Sequence, residues 1–255
     1  MNHARYSEIA HRGFRYWNPV DPALLDAWLD RLPLTPSSRL LDVGCGRGEV
    51  LVRLAESHGC GGVGVDTAEP ALEHARAEAA RRVPGVGLEF RHAPFGAGFF
   101  EAGSFDLAVC IGSSHAAGGF PAALRTLAGL VTPGGVLLVG EGYWQQDPHP
   151  DYLACLRCRK DDLCSHAGNI DLAESLGLRV IDTHETTPGA WAAYEDGYFA
   201  NVIDHVTRHP DDPDAEAMRE RIEHWRRAYV AWGQETLGFG LYLLGVPSAG
   251  SAQAG

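Results

Sequence analysis

Residues 40–50 read Leu-Leu-Asp-Val-Gly-Cys-Gly-Arg-Gly-Glu-Val, an apolar run followed by glycines at positions 44, 46 and 48. This order predicts a β-strand that enters a glycine-rich loop and continues into a helix. Glycine allows tight backbone bends and lets a ligand approach main-chain N–H groups at the start of a helix. The stretch therefore predicts a small-molecule site at the end of the first strand.

Two carboxylates narrow the choice of ligand. Asp66 ends the next apolar stretch, twenty residues beyond Gly46, where a doubly wound nucleotide-binding fold places the acid that binds a ribose diol. Asp42 precedes the first glycine by two residues, and its charge repels a pyrophosphate but suits an ammonium or sulfonium group. The glycines follow G-x-G-x-G, whereas a dinucleotide site has G-x-G-x-x-G. These features favour an adenosine derivative and disfavour a nicotinamide-dependent oxidoreductase.

Together with two further stretches, the glycine loop and the Asp66 stretch make four short motifs along the chain: Asp42–Gly48, Gly64–Asp66, Phe105–Val109 and Leu130–Leu138. In order and spacing they resemble the class I S-adenosylmethionine-dependent methyltransferases, and the resemblance covers residues 36–145. The Asn18-Pro19 pair and the segment Trp232–Gly240 resemble a small bacterial subgroup of that family, whose substrates are mostly unassigned. The resemblance implies methyl transfer from S-adenosylmethionine, with S-adenosylhomocysteine as the product.

The resemblance also implies roles around the cofactor. The N–H groups of Gly44–Gly46 would contact the methionine carboxylate, and Asp42 would face the methionine ammonium group. Asp66 would accept hydrogen bonds from both ribose hydroxyls, because a carboxylate has two oxygens. The family usually has an acid for the adenine amino group at the end of strand three, and this chain has His92 and Ala93 there. The predicted cofactor residues are Asp42, Gly44, Cys45, Gly46, Asp66, Thr67, His92, Ala93, Ile111 and Gly112.

Methyl transfer requires an acceptor aligned with the S–CH₃ bond and a base when the acceptor is protonated. His115, three residues after Gly112, is the predicted catalytic base, and a histidine that only shapes the loop is the alternative. Large aromatic residues near the predicted cavity are the predicted substrate contacts, with packing of a cap as their alternative role. These residues are Trp17, Tyr143, Trp144, Trp191, Tyr194 and Tyr198. The expected acceptor is a neutral or cationic small molecule.

The pattern along the chain predicts an α/β fold. Strands at about 39–43, 62–66, 87–91, 105–111, 136–141, 178–182 and 238–246 alternate with helices. This alternation predicts a doubly wound, mainly parallel sheet, and the resemblance implies seven strands with the last one antiparallel. The predicted units are an N-terminal helical lid, a cofactor-binding Rossmann-like core, a helical cap, and a final strand with a disordered tail, over residues 1–35, 36–188, 189–237 and 238–255.

Composition weighs against several classes of partner. The chain has 33 acidic and 21 basic residues and a formal charge of −12, which opposes binding to nucleic acids and anionic membranes. No segment resembles a signal peptide or a membrane span, so we expect a cytoplasmic protein. The thiols Cys155, Cys158 and Cys164 and the imidazole of His166 have irregular spacing for a zinc site, and we predict no metal there. A non-catalytic S-adenosylmethionine-binding sensor or partner subunit is the main alternative to an enzyme.

Overall fold

The computed structural model describes residues 1–96 and 98–248, except for the side chain of Ala4, and the predicted tail 249–255 lies outside them. The strands are β1 Arg39–Val43, β2 Gly61–Asp66, β3 Leu88–His92, β4 Phe105–Ile111, β5 Val131–Trp144, β6 Arg179–Glu185 and β7 Leu237–Gly245. The helices are α1 His3–Ala10, α2 Pro22–Asp30, α3 Glu49–His58, α4 Glu69–Arg82, α5 Phe120–Leu130, α6 Pro150–Leu156, α7 His166–Ser175, α8 Pro188–Arg208, α9 Ala215–Ala228 and α10 Gln234–Thr236. Single turns of other helix types occur at Ser114–Ala117, Lys160–Asp162 and Tyr229–Gly233.

The described strands form one seven-stranded sheet in the order β3-β2-β1-β4-β5-β7-β6. Strands β1 to β5 pair in parallel, whereas β7 is antiparallel to both of its neighbours, β5 and β6. This arrangement confirms the predicted fold class, including the antiparallel last strand. The strand order reverses between β1 and β4, so the loops that follow these two strands diverge and leave a crevice at the carboxyl ends.

Both faces of the sheet are covered by apolar layers. In β1, Leu40 packs into one buried cluster and Leu41 into the other, because successive strand residues point to opposite faces. In β4, Leu107 and Ala108 divide between the same two clusters. Strands that are apolar on both faces are typical of a parallel sheet between two layers of helices.

The N-terminal helix α1 packs against helices α8 and α9. Its contacts form a separate buried cluster of Tyr6, Ile9, Ala10, Val202, Val206, Met218 and Ile222. The Asn201 amide also donates hydrogen bonds to the carbonyls of Ala10 at 2.9 Å and Arg12 at 2.8 Å. None of the described helices, including the 21-residue α8, has the length and apolar character needed to cross a membrane.

Strand β5 is longer than predicted at both ends. It begins directly after α5 at Val131, and its pairing with β4 is irregular between Val131 and Val136. It continues to Trp144 because β7 pairs with it along the whole stretch from Val136 to Trp144. A strand that distant pairing extends cannot be delimited from its own local pattern.

Gly48 and Gly59 allow a controlled test of loop packing. They cap the two ends of α3 with nearly the same left-handed backbone. The angles are φ 71° and ψ 12° at Gly48, and φ 69° and ψ 13° at Gly59. A Cβ at Gly48 would lie 2.6 Å from the Phe90 ring and 2.8 Å from the Ala75 Cβ, whereas a Cβ at Gly59 would meet nothing closer than Pro36 at 3.7 Å.

We therefore expect Gly59→Ala to lower the free energy of unfolding by about 1–2 kcal/mol, the cost of a left-handed alanine. Gly48→Ala should lower it by about 2–5 kcal/mol, because overpacking adds about 1–3 kcal/mol. Urea denaturation of both variants measures the difference. Equal losses would show that the glycine loop is not packed against β3 and α4 as described.

Candidate active site

A cavity of about 330 Å³ opens at the carboxyl ends of β1, β2 and β4. Its inner wall consists of the glycine loop and the strand ends, and its outer wall of residues between Ser7 and Asn18. The volume lies in the range of small-molecule sites. The structure brings many of the predicted site residues into its lining, namely Trp17, Asp42, Gly44, Cys45, Gly46, Asp66, Thr67, Ala93, Ile111, Gly112 and His115.

The glycine loop is held against β2 by its own N–H groups. Gly44 and Cys45 donate to the Val65 carbonyl at 2.8 and 3.2 Å, and Gly46 donates to Asp66 Oδ2 at 2.8 Å. Each of these N–H groups therefore already has an acceptor within the protein, and their contact with a methionine carboxylate stays a prediction. What the loop contributes is its conformation and its lack of side chains: a Cβ at Gly44 (φ 72°) would lie 2.2 Å from Ser113 Oγ.

The Asp66 carboxylate is oriented by two backbone donors. Its Oδ2 accepts the Gly46 N–H and its Oδ1 accepts the Ala68 N–H, both at 2.8 Å. Each carboxylate oxygen has a further lone pair, so both remain able to accept from a ligand. A carboxylate fixed in this way, at the end of β2 and in the cavity wall, suits a pair of adjacent ribose hydroxyls.

Asp42 is the most buried charged group in the cavity lining, with 4% of its surface exposed. Burial and then the negative charge of Asp66 raise the pKa of Asp42 to about 8. No cationic side chain of the described residues offsets these effects. A ligand ammonium group beside Asp42 would supply the missing positive charge.

His11 lines the cavity and was not predicted. Its Nδ1–H donates to the Ser7 carbonyl at 2.8 Å, and its Nε2 accepts the Tyr194 hydroxyl at 2.7 Å. Burial lowers the pKa of His11 to about 4, so the ring is neutral at physiological pH. The ring also stacks on Trp17 with centroids 4.6 Å apart. His11 thus connects the N-terminal segment to α8, and the only sequence signal for it is a polar helix end beside aromatic residues.

His115 lies on the Ser114–Ala117 turn after β4 and is exposed at the cavity wall. Neither of its ring nitrogens has a hydrogen-bond partner among residues 1–96 and 98–248. It is therefore the cavity histidine whose nitrogens are both available to a ligand.

Five predicted substrate residues lie outside the cavity lining. Tyr143 donates its hydroxyl to Glu185 Oε2 at 2.6 Å, and Trp144 donates its Nε1–H to the Lys160 carbonyl at 2.8 Å. Because β5 continues through these positions, their side chains alternate into packed layers and do not fold over the site. Of the other three, Trp191 packs against Phe239. Tyr194 and Tyr198 both contact the His11 ring.

His92 also lies outside the cavity lining. Its Nε2–H donates to the Thr67 carbonyl at 3.1 Å, and its Nδ1 is 3.3 Å from Glu69 Oε2. Since Nε2 is a donor here, that nitrogen is not free to replace the acid that the family usually has for the adenine amino group. Its neighbour Ala93 does line the cavity.

The segment from Cys155 to His166, which carries three thiols, shows no group of side chains arranged as a metal centre. Cys155 and Cys158 pack against a small buried cluster around Trp144 and Tyr152, whereas Cys164 is exposed. Within the described ranges, no three His, Cys, Asp or Glu side chains are grouped so that they could hold an ion. The absence of a metal remains a prediction for elemental analysis.

Comparison with known proteins identifies the family. Residues 41–137 match the family described as "Methyltransferase domain". The Escherichia coli K12 protein YjhP is 30% identical over 246 residues, which cover 96% of this chain and 99% of YjhP. This chain belongs to the S-adenosylmethionine-dependent methyltransferases.

Two solved structures extend this result to the cofactor. One is a SAM-dependent methyltransferase from Thiobacillus denitrificans in complex with S-adenosyl-L-homocysteine, with 27% identity, a TM-score of 0.84 and coverage of 96% of this chain and 99% of that one. The other, from Geobacter sulfurreducens and in complex with the same molecule, has 28% identity, a TM-score of 0.85 and coverage of 94% and 97%. S-adenosylmethionine is thus the methyltransferase's cofactor and S-adenosylhomocysteine its product, and the enzyme is favoured over the non-catalytic alternative.

The orientation of Asp66 predicts a loss of cofactor affinity on its removal. We expect Asp66→Ala to weaken binding of S-adenosylhomocysteine by about 1.5–3 kcal/mol, the usual contribution of hydrogen bonds to a charged group. Isothermal titration calorimetry measures this change. Asp106→Ala is the matched control, because Asp106 also accepts a backbone N–H, from Arg39 at 2.8 Å, and does not line the cavity. Wild-type affinity in the Asp66 variant would contradict the assignment.

The raised pKa of Asp42 predicts a pH dependence. In the ligand-free protein the pKa of Asp42 is about 8, above its ordinary value of 3.8, so the carboxyl group is mostly protonated below about pH 8. A bound ammonium group favours the ionised carboxylate, so binding releases the Asp42 proton. The affinity for S-adenosylhomocysteine should therefore rise by up to about tenfold per pH unit until about pH 8 and then level off. Dissociation constants at several pH values measure the trend. Asp42→Asn should abolish the rise, and an equal rise in that variant would exclude Asp42 as its source.

Proposed function

We propose that this methyltransferase methylates a small molecule that binds between the cofactor and the N-terminal segment, beside His115. One observation carries the proposal: a single cavity has nine of the ten predicted cofactor residues on its inner wall, all but His92, and residues between Ser7 and Asn18 on its outer wall. An acceptor that enters this space meets the cofactor directly.

The outer wall suits an organic acceptor. The Trp17 ring lies against the glycine loop, since a Cβ at Gly46 would be 3.7 Å from Trp17 Cε3. His11 stacks on the same ring, and Phe95 lines the cavity as well. Flat aromatic walls exclude water and pack against planar ligands. This wall, and not the aromatic residues of β5, forms the proposed acceptor surface.

The two cavity histidines differ in what they can do as bases. A general base needs a free nitrogen and a pKa near the working pH. Both nitrogens of His11 are engaged within the protein, and its pKa is lowered to about 4. The ring of His115 is exposed and carries no such bonds in the described parts of the chain. We assign His115 the role of accepting the acceptor's proton, and His11 that of holding Trp17 in place.

The chain's remaining tasks are binding and alignment. S-adenosylmethionine supplies, when bound, a methyl group that its sulfonium already activates. Asp66 holds the ribose and Asp42 the ammonium group, and together they fix the orientation of the bound molecule in the crevice. The N-terminal segment closes the outer side and limits access of water. Catalysis by alignment needs little else from the protein.

A metabolite panel tests this proposal. Purified protein with S-adenosylmethionine is incubated with organic hydroxy, amino and thiol compounds, and S-adenosylhomocysteine formation is measured. With the best acceptor, we expect His115→Gln to lower kcat about 10²-fold and to leave cofactor affinity within about threefold. His74→Gln, an exposed histidine on α4, is the control.

Two results would contradict the proposal. Undiminished kcat in the His115 variant would remove the base assignment. A panel that yields no product, with cofactor binding intact, would contradict a small-molecule acceptor in this cavity.

A further inference from the structure

Acidic side chains outnumber basic ones in the cavity lining. The charged lining residues are Glu8, Asp42, Glu49, Asp66, Arg15 and Arg47. Arg15 and Glu49 neutralise each other, with Arg15 Nε 3.1 Å from Glu49 Oε1. The cofactor brings a sulfonium, an ammonium and a carboxylate group, so the occupied site keeps an excess of negative charge. A further cationic group in the cavity would balance this excess.

Glu8 differs from the other acids of the lining. We expect Asp42 to bind the ammonium group of the cofactor and Asp66 its ribose. Among residues 1–96 and 98–248, no cationic group lies within 4.0 Å of the Glu8 carboxylate, and no donor forms a hydrogen bond to it. Glu8 is only partly buried, and both of its carboxylate oxygens are accessible. A ligand in the cavity can therefore reach them.

The two arginines nearest to Glu8 in the sequence bind elsewhere. Arg5 precedes it by three residues and Arg12 follows it by four, the spacings at which side chains form ion pairs within a helix. Arg5 instead pairs with Asp212, and Arg12 Nη1 lies 3.9 Å from Asp204 Oδ2. Both arginines therefore connect the N-terminal segment to α8 and the loop after it, and the charge of Glu8 is left to the cavity.

We propose that Glu8 binds an ammonium group of the methyl acceptor and thereby selects amine-bearing acceptors over neutral and acidic ones. Such a role rests on the proposed function, because it requires the acceptor to bind in this cavity. A carboxylate accepts charge-assisted hydrogen bonds from an ammonium group, and these are about twice as strong as hydrogen bonds between neutral groups. The Trp17 and Phe95 rings line the same cavity and suit the hydrocarbon part of such a molecule.

The surroundings of Glu8 also favour a cation over an anion. Arg47 lines the cavity but forms no ion pair with Glu8. Its guanidinium carbon lies 5.5 Å from the Trp17 ring centroid, so the Arg47 charge is held over that ring. The chain as a whole has a formal charge of −12, which attracts cations and repels anions.

A titration measures this preference without turnover. The protein is saturated with S-adenosylhomocysteine, so that the cofactor's own ammonium group is already bound. It is then titrated near neutral pH with benzylamine, a cation, and with benzyl alcohol, its neutral counterpart. We expect wild type to bind benzylamine about tenfold more tightly or better, because only the ammonium group pairs with Glu8. Glu8→Gln should reduce the difference to about twofold or less. Glu73→Gln, which removes a charge from an exposed position on α4, is the control and should keep the preference.

Turnover with an amine from the metabolite panel gives a second readout. Glu8→Gln should raise the KM of the amine about tenfold and leave kcat within about threefold, because Glu8 binds the acceptor and takes no part in the proton transfer. Glu8→Asp should restore part of the affinity, since it keeps the charge on a shorter side chain. The affinity for S-adenosylhomocysteine should stay within about twofold in both variants.

Three results would overturn the role of Glu8. The first is a wild type that binds benzylamine and benzyl alcohol equally, and the second is a Glu8→Gln variant that keeps the preference for benzylamine. The third is an equal loss of affinity for benzylamine and for S-adenosylhomocysteine in Glu8→Gln, since this would indicate damage to the whole site.

The proposed function fails separately. A benzylamine preference that depends on Glu8, without methyl transfer to any acceptor, would support the amine site and contradict the proposed function. Methyl transfer to neutral acceptors, without any preference for benzylamine, would support the proposed function and overturn the role of Glu8.

Discussion

The site depends on the attachment of the glycine loop to β2. The left-handed turn after β1 places three successive N–H groups on the Val65 carbonyl and the Asp66 carboxylate. Only glycine fits at position 44, where the backbone is left-handed and Ser113 occupies the space of a Cβ. One small network therefore ends β1, joins it to β2 and aims Asp66 into the crevice. A change in the loop would therefore also displace the Asp66 carboxylate.

The rest of the cavity is built by parts of the chain that are far apart in sequence. Helix α1 packs on helices α8 and α9 through a shared apolar cluster. The hydrogen bond between His11 and the Tyr194 hydroxyl connects the N-terminal segment to α8 beside the cavity. Helices α8 and α9 thus contact the N-terminal segment, whose Trp17 and His11 line the cavity. Burial keeps His11 neutral, so this connection does not depend on protonation near neutral pH.

The sequence predicted what local patterns encode. The glycine spacing, the position of Asp66 and the alternation of strands and helices were enough for the fold class and for the inner wall of the cavity. Of the outer wall, the sequence predicted Trp17 but missed His11, because its contact with Tyr194 joins residues that are 183 positions apart. Tyr143 and Trp144 were expected over the site, but pairing with β7 keeps them in a strand.

The proposed function requires the cofactor to lie across this cavity with its sulfur toward the N-terminal wall. A crystal structure of the protein with S-adenosylhomocysteine would show this orientation. We expect the ribose hydroxyls on Asp66, the amine beside Asp42, and the sulfur between Trp17 and His115. A ligand bound elsewhere, or one whose sulfur points toward Tyr143 and Trp144, would contradict it.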